Sequence, residues 1–341
     1  RCYEPFQIKR DKEIKKTFEN KNVNIKSFNS SLLWEPWNVK KEDGGNYKVF
    51  TPFYRKGCLN ASIPRKPLEK PKNTNFFKDE TTSLDLSDFC LLSKSNWHNK
   101  FLNFWKPGEK SAKIKLNNFL SKNIFSYKVG RDFPSKNSTS MLSPHVHFGE
   151  ISPNEIWYAI PFENNINFDN YRSELAWREF SYSQLFFNPE LPSKNLQSKF
   201  DNFPWVENKP NLISWQKGET GIPMVDAGMR QLWQTGFMHN RLRMIVGSFL
   251  VKNLLTDWRL GANWFWNSLV DADLASNSAG WQWVAGCGAD AAPFFRVFNP
   301  VTQGNKFDEN GEFVRKFVPE LKNLPNKFLF SPWEAPRDIL K

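Results

Sequence analysis

Little in this sequence announces a common chemistry. Its four cysteines, Cys2, Cys58, Cys90 and Cys287, show no Cys-x-x-Cys spacing, which favours reduced thiols over a zinc ribbon or disulfide frame. Histidine is equally sparse. His145 and His147 lie two apart, on different faces of any helix, and only His98 and His239 remain, so no zinc site is expected. There is no Gly-x-Gly-x-x-Gly and no Walker loop, which removes support for the usual nucleotide folds. No Ser-His-Asp arrangement rises above chance. No run approaches eighteen uninterrupted apolar residues, so no membrane span is expected, and no signal-peptide pattern is present. The chain opens Arg1-Cys2-Tyr3 without a methionine and is expected to be a piece of a longer protein.

What is present in excess is charge of one sign and tryptophan. The net charge is +12, yet residues 1–125 carry 25 basic and 13 acidic side chains while residues 126–341 carry 22 of each. With 33 Lys, 36 Asn and 32 Phe, the excess follows the composition of AT-rich coding sequence. Global charge is therefore weak evidence for nucleic-acid binding, and the placement of single arginines matters more. Fifteen tryptophans run against that coding bias, and nine of them lie at or after Trp205. Core packing accounts for several. It accounts less well for Trp281 and Trp283, which flank one Gln beside a Ser-Asn-Ser-Ala-Gly stretch.

At 341 residues and 40% hydrophobic content the chain can build one large core or two. Helical spacing covers 11–22 through Ile14 and Phe18, and Val-Asn-Ile-Lys-Ser-Phe predicts a short strand within 23–33. Residues 1–60 thus read as the tail of an α/β domain. Residues 61–110, rich in Lys, Pro, Ser and Asn, read as a linker. Residues 111–341 read as a mostly helical domain. Within it, Ser152-Pro153-Asn154-Glu155 is a strong helix start, and helices are predicted over 171–187, 223–234 and 238–255, the last two parted by Thr235-Gly236.

Several polar groups share helical faces. Glu174, Trp177 and Arg178 sit at i, i+3 and i+4, as do Asn240, Arg243 and Met244, while Arg241 points aside. Taken by itself, the first group reads as a solvated Glu–Arg pair beside a partly buried Trp rather than as a site. Arg241 and Arg243, on the same helix as the apolar run Ile245–Leu250, need partners if buried, and Asp271 and Asp273 can supply them. A metal at Asp-x-Asp lacks a third ligand at useful spacing. Thr139-Ser140-Met141-Leu142-Ser143-Pro144 gathers three hydroxyls at a helix start, suited either to cradling phosphate or to a simple capping turn.

Taken together, these segments resemble the DNA photolyase/cryptochrome family, and within it the microbial, class I-like type acting on cyclobutane pyrimidine dimers. The likeness begins at Tyr3-Glu4-Pro5 and Tyr47-Lys48-Val49-Phe50-Thr51-Pro52-Phe53. It is dense from Tyr127 to Pro300 and continues through Gln303–Asp308. It implies a mostly α fold: a large helical FAD-binding domain at 111–341, preceded by the remnant of an α/β, Rossmann-like antenna domain at 1–60 and an interdomain linker at 61–110. About a hundred residues are expected to be missing from the start.

The resemblance also implies roles. Tyr127 and Thr139, Ser140, Met141, Leu142 and Ser143 would hold the FAD phosphates. Tyr171, Arg178, Arg243, Asp271, Asp273 and Asn277 would hold the rest of the cofactor. Asn240 would approach flavin N5, where a neutral amide suits a reduced, anionic flavin. Glu174, Trp177, Met244 and Trp283 would form the lesion pocket, with the two indoles stacking on the pyrimidines. Arg131, Arg241 and Arg296 would grip DNA phosphates, and Trp281, Trp258 and Trp205 would pass electrons from the surface to the flavin. Phe237 and Tyr171 stand where the family often has Trp. The implied activity is light-driven repair of pyrimidine dimers flipped out of UV-damaged DNA, using reduced FAD, with a folate- or deazaflavin-type antenna in the full-length protein. Base flipping by photolyases is a known pattern. A monomer of the bacterial cytosol, working at the nucleoid, is expected, with no membrane or metal partner. The competing readings are a cryptochrome photoreceptor, an inactive flavin-binding fragment, and a nucleic-acid module without cofactor.

Overall fold

A computed structural model of the chain describes residues 1–72, 74–75, 83–91, 96–292 and 297–339. It holds nine α-helices of eight residues or more among the described residues: α1 Pro5–Glu19, α2 Glu109–Ser121, α3 Ile166–Phe187, α4 Lys209–Lys217, α5 Pro223–Thr235, α6 Asn240–Ser248, α7 Trp258–Ser268, α8 Leu274–Ala285 and α9 Pro300–Phe307. No strand occurs among the described residues.

The helix boundaries follow local chemistry. Pro5 sits at the first position of α1, where its missing N–H costs nothing, so the helix starts ahead of the predicted 11–22. The Ser152 cap forms as expected, its hydroxyl accepting from Glu155 N at 3.0 Å. Gly236 ends α5 with φ 69°, and a Cβ there would lie 2.5 Å from Val270 Cγ1, so only glycine fits. The helix predicted over 238–255 is α6 followed by a π-helical turn, Phe249–Asn253.

The strand predicted within 23–33 does not form, and the reason is visible in its hydrogen bonds. Backbone groups that would pair in a ladder are taken by side chains instead. Asn29 Nδ2 donates to Leu32 O at 2.8 Å and its Oδ1 accepts from Leu32 N at 3.1 Å. From α3, Arg178 donates to Ser31 O at 2.7 Å and Glu179 accepts from Trp34 N at 3.1 Å. Glu179 is 2% exposed, and burial pushes its carboxyl up to about 7.

Three apolar cores position everything else. The largest packs α5, α6, α7 and α8 around Trp215, Leu242, Trp258 and Trp281. A second joins Leu33–Cys58 to α2 and the first half of α3. A third, smaller one sets Tyr3 and Leu32 against Tyr182, Leu185 and Ala275. Helix α3 takes part in two of the cores and α8 in two. Their shared seam, closed by α6, is where the cavity lies. The end of the predicted linker docks on this body, as buried Trp105 donates from Nε1 to Thr235 O at 2.8 Å.

Candidate functional site

Between α3, α6 and α8 lies a cavity of about 380 Å³, a size that suits a small-molecule ligand. Helix α3 contributes Glu174 and Trp177, α6 contributes Asn240, Arg243 and Met244, and α8 with its approach contributes Asp271, Asp273, Asn277, Trp281 and Trp283. Arg131 stands at the rim. Eleven sequence-predicted residues from four chain segments therefore meet around one space.

The deep wall is a network of fixed charge. Arg243 Nη2 bonds both Asp271 oxygens at 2.9 and 2.8 Å, and Arg243 Nε donates to Met238 O at 2.8 Å. Asp271 also accepts from Ser143 Oγ at 2.6 Å, which ties the 139–143 loop to the cavity. Such charge-assisted pairs are the strong ones. Asp273 caps α8 through Ser276 N at 2.7 Å, accepts from Tyr182 Oη at 2.5 Å, and lies 3.6 Å from His147 Nδ1. Burial opposes the Asp273 charge, but His147, Arg178, Tyr182 and Ser276 together outweigh it and hold the carboxyl well below its usual range. Trp281, 4% exposed, lies edge-on to Phe265 at 4.9 Å, and its buried Nε1 has no hydrogen-bond partner among the described residues.

The mouth is built differently. Arg131 pairs with Glu174 and bonds Asn170 at 3.2 Å. Burial works against the Arg131 charge, yet Glu174 more than compensates and raises its pKa. Arg241 bonds Asp132 at 2.5 Å and lies 4.2 Å over Phe307. It does not line the cavity. Asn240 is exposed, whereas Asn277 is half-buried on α8 and donates to Ala262 O at 3.0 Å.

Other expected residues lie behind or beyond these walls. Tyr127 and Tyr171 are buried 5.0 Å apart, with Phe119 against both. Burial raises the Tyr171 hydroxyl to about 12, partly offset by a bond with Ser140, so Tyr171 backs the Thr139–Leu142 loop, and neither ring lines the cavity. Arg178 turns to Ser31, Glu179 and the Tyr182 ring. Trp258 is fully buried, donating to Asn195 Oδ1 at 3.0 Å. Half-buried Trp205 borders a second cavity of about 330 Å³ with Phe200 and Phe203. Arg296 lies outside the described residues.

Sequence reasoning missed Ser181, Gln184, Ser276 and Gln282 of the cavity wall, and His147 beside Asp273. Ser181 and Gln184 were within reach, because 174, 177, 181 and 184 form one helical stripe. No three-ligand metal cluster occurs among the described residues.

This donor set suits FAD. The unpartnered Trp281 Nε1, the Asn277 amide and the Arg243–Asp271 pair offer fixed polar contacts around an apolar slot. Comparison with known proteins agrees. The family model for the FAD binding domain of DNA photolyase matches residues 171–341, and the DNA photolyase model matches residues 1–72. The chain belongs to the DNA photolyase family and carries its FAD-binding domain. It is 47% identical to the deoxyribodipyrimidine photo-lyase of Agrobacterium fabrum, covering 100% of this chain and 72% of that protein. It is 34% identical to Cryptochrome-1 of Arabidopsis thaliana, covering 99% of this chain and 51% of the relative. The crystal structure of a bacterial class III photolyase from Agrobacterium tumefaciens superposes with a TM-score of 0.95 at 47% identity, over 100% of this chain and 71% of that one. A Synechocystis cryptochrome gives a TM-score of 0.83 at 29% identity, over 99% and 72%.

Proposed function

We propose that this chain is a deoxyribodipyrimidine photo-lyase that repairs cyclobutane pyrimidine dimers in UV-damaged DNA under blue or near-UV light. One observation carries the reading: a single cavity has fixed charge in its depth and two indoles with a carboxylate, Trp177, Trp283 and Glu174, on its walls. Reduced FAD, when bound, supplies the light-driven electron that splits the dimer and takes it back.

The chain's own residues bind, orient and exclude water. Arg243 and Asp271 hold the polar edge of the flavin, with Asp273 and Asn277 beside it. Of the two neutral amides, half-buried Asn277 is better placed for the cofactor than exposed Asn240, which we assign to the mouth with Met244. The 139–143 loop, backed by Tyr127 and Tyr171, meets the phosphates. Glu174 reaches the polar edge of the flipped pyrimidines while Trp177 and Trp283 stack on them. Arg131 and Arg241 exchange their carboxylate partners for DNA phosphates, which makes binding salt-sensitive. Trp281 at the cavity, Trp258 in the core and half-buried Trp205 form an inside-to-outside series suited to carrying electrons.

In this reading residues 111–341 form the FAD- and DNA-binding domain, with the 33–58 segment packed on it. The enzyme works as a monomer in the bacterial cytosol. Sequence resemblance pointed to a class I-like enzyme; 47% identity and a TM-score of 0.95 to a structure described as class III favour that class instead, and we propose it. The second reading, a photoreceptor, rests on the cryptochrome relatives. The test is loss of dimers from an irradiated oligonucleotide with the flavin pre-reduced. Repair that requires blue light is expected; bound flavin without repair favours the photoreceptor.

A further inference from the structure

The Tyr47–Phe53 segment has no part in the mechanism above, yet it touches the cavity wall at Gln184 and Trp177 and is tied to Asp290 just beside it. Tyr47 O accepts from Gln184 Nε2 at 3.0 Å, and Lys48 O accepts from Asp290 N at 3.0 Å. Between these anchors the Phe50 ring lies on the Trp177 ring, centroids 3.8 Å apart and planes 9° apart. Phe180 stands edge-on to both, at 6.0 Å from Phe50 and 5.8 Å from Trp177. Tyr54 continues the column at 6.0 Å and 14°. The segment itself is held by close approach, since a Cβ on Gly57 would meet Val39 at 2.6 Å and Tyr47 at 2.9 Å.

An indole on a cavity wall turns about two side-chain angles, and each must be frozen before it can serve as a flat surface. Phe50 covers one face of Trp177 and Phe180 guards an edge, so the indole plane is set before any ligand arrives. Phe50 is 8% exposed, so this contact is dry. Packed on one face by Phe50 and met edge-on by Phe180, the indole cannot rotate without giving up both contacts.

We propose that Phe50 is a positioning residue for lesion recognition: it closes one face of Trp177 and presents the other, already oriented, for one-sided stacking on a flipped-out pyrimidine. The inference rests on the assignment of Trp177 to the lesion pocket. Prepaid orientation of this kind shows in affinity for the ligand that uses it and nowhere else.

The test compares Phe50→Leu, Phe50→Tyr and Trp177→Ala as FAD-loaded proteins, each titrated with dimer-containing and undamaged oligonucleotides. Phe50→Leu, which keeps apolar bulk but no ring, should weaken dimer binding about three- to tenfold with undamaged binding and FAD content unchanged. Phe50→Tyr should restore dimer affinity. Dimer affinity intact in Phe50→Leu but lost in Trp177→Ala overturns the role of Phe50 alone. Equal loss on both oligonucleotides, or loss of FAD, reduces Phe50 to scaffold and overturns it too. Intact dimer binding in Trp177→Ala removes the lesion-pocket assignment beneath it.

Discussion

The two ends of one cavity solve different problems with the same residue types. In its depth, Asp271 is 8% exposed and meets Arg243 through two oxygens plus a serine hydroxyl, and Asp273 has four partners. At the mouth, Arg241 rests on Asp132, whose side chain is 37% exposed, and Arg131 rests on Glu174, at 27%. A buried charge pair is costly to break because the remaining partner is stranded in a dry site. Where the carboxylate keeps contact with water, as Asp132 and Glu174 do, the pair is easier to part and to exchange for another anion. The contrast fits the proposed reading, in which the depth holds a resident cofactor and the mouth a substrate that comes and goes.

The sharpest way to break that comparison is Asp271→Asn. It should cost about 3 kcal/mol of stability and most of the bound FAD, because Arg243 is left without its counter-charge. Thermal melting and the flavin-to-protein ratio read this directly; a variant that melts and binds FAD like the parent would put the deep wall on a par with the mouth.

Next in size is a pair of opposed pH effects. Burial pushes Glu179 up to about 7, so the stability it contributes is complete below its ordinary value near 4.5 and is lost as pH rises to 7. Burial, reinforced by Arg241, pushes His239 down to about 4, so its contribution is complete above about 6.5 and is lost as pH falls to 4. Between about pH 4.5 and 6.5 the two slopes oppose one another, each at most about 1.4 kcal/mol per pH unit. Relative to the parent, Glu179→Gln should make stability climb with pH across that window, and His239→Gln should make it fall. Urea melts at several pH values decide it; parallel curves for parent and variants would deny both burials any energetic weight.

The smallest effect belongs to the mouth. Asp132→Asn should free Arg241 and tighten binding to undamaged DNA by a factor of about two to five, with a steeper salt dependence. Unchanged affinity at low salt would mean that Arg241 does not meet phosphate.

Much of the site was legible because helical periodicity places Glu174 and Trp177 together, and because arginines in an apolar run demand carboxylates. Arg178 shows where that logic stops. It shares a face with Glu174 by spacing, but α3 is buried almost all round, so one stripe (174, 177, 181, 184) faces the cavity while 178, 179 and 182 face Ser31, Trp34 and Asp273. Periodicity cannot rank two buried faces when the deciding partner is 147 residues away. The strand expected within 23–33 failed for the same cause: its partners are those very side chains. Phe50 carried no signal of its own, since one aromatic among 32 phenylalanines gives no hint of what it stacks on.

Asp273 holds the first turn of α8 by its side chain, and Asn277 and Trp281 follow at intervals of four along the same helix. The three therefore turn as one rigid part. A cap lost at Asp273 would unwind the first turn and re-aim the amide and the indole together. On the roles proposed for Asn277 and Trp281, cofactor seating and electron entry are geared to a single shaft, and substitution at Asp273 would move both.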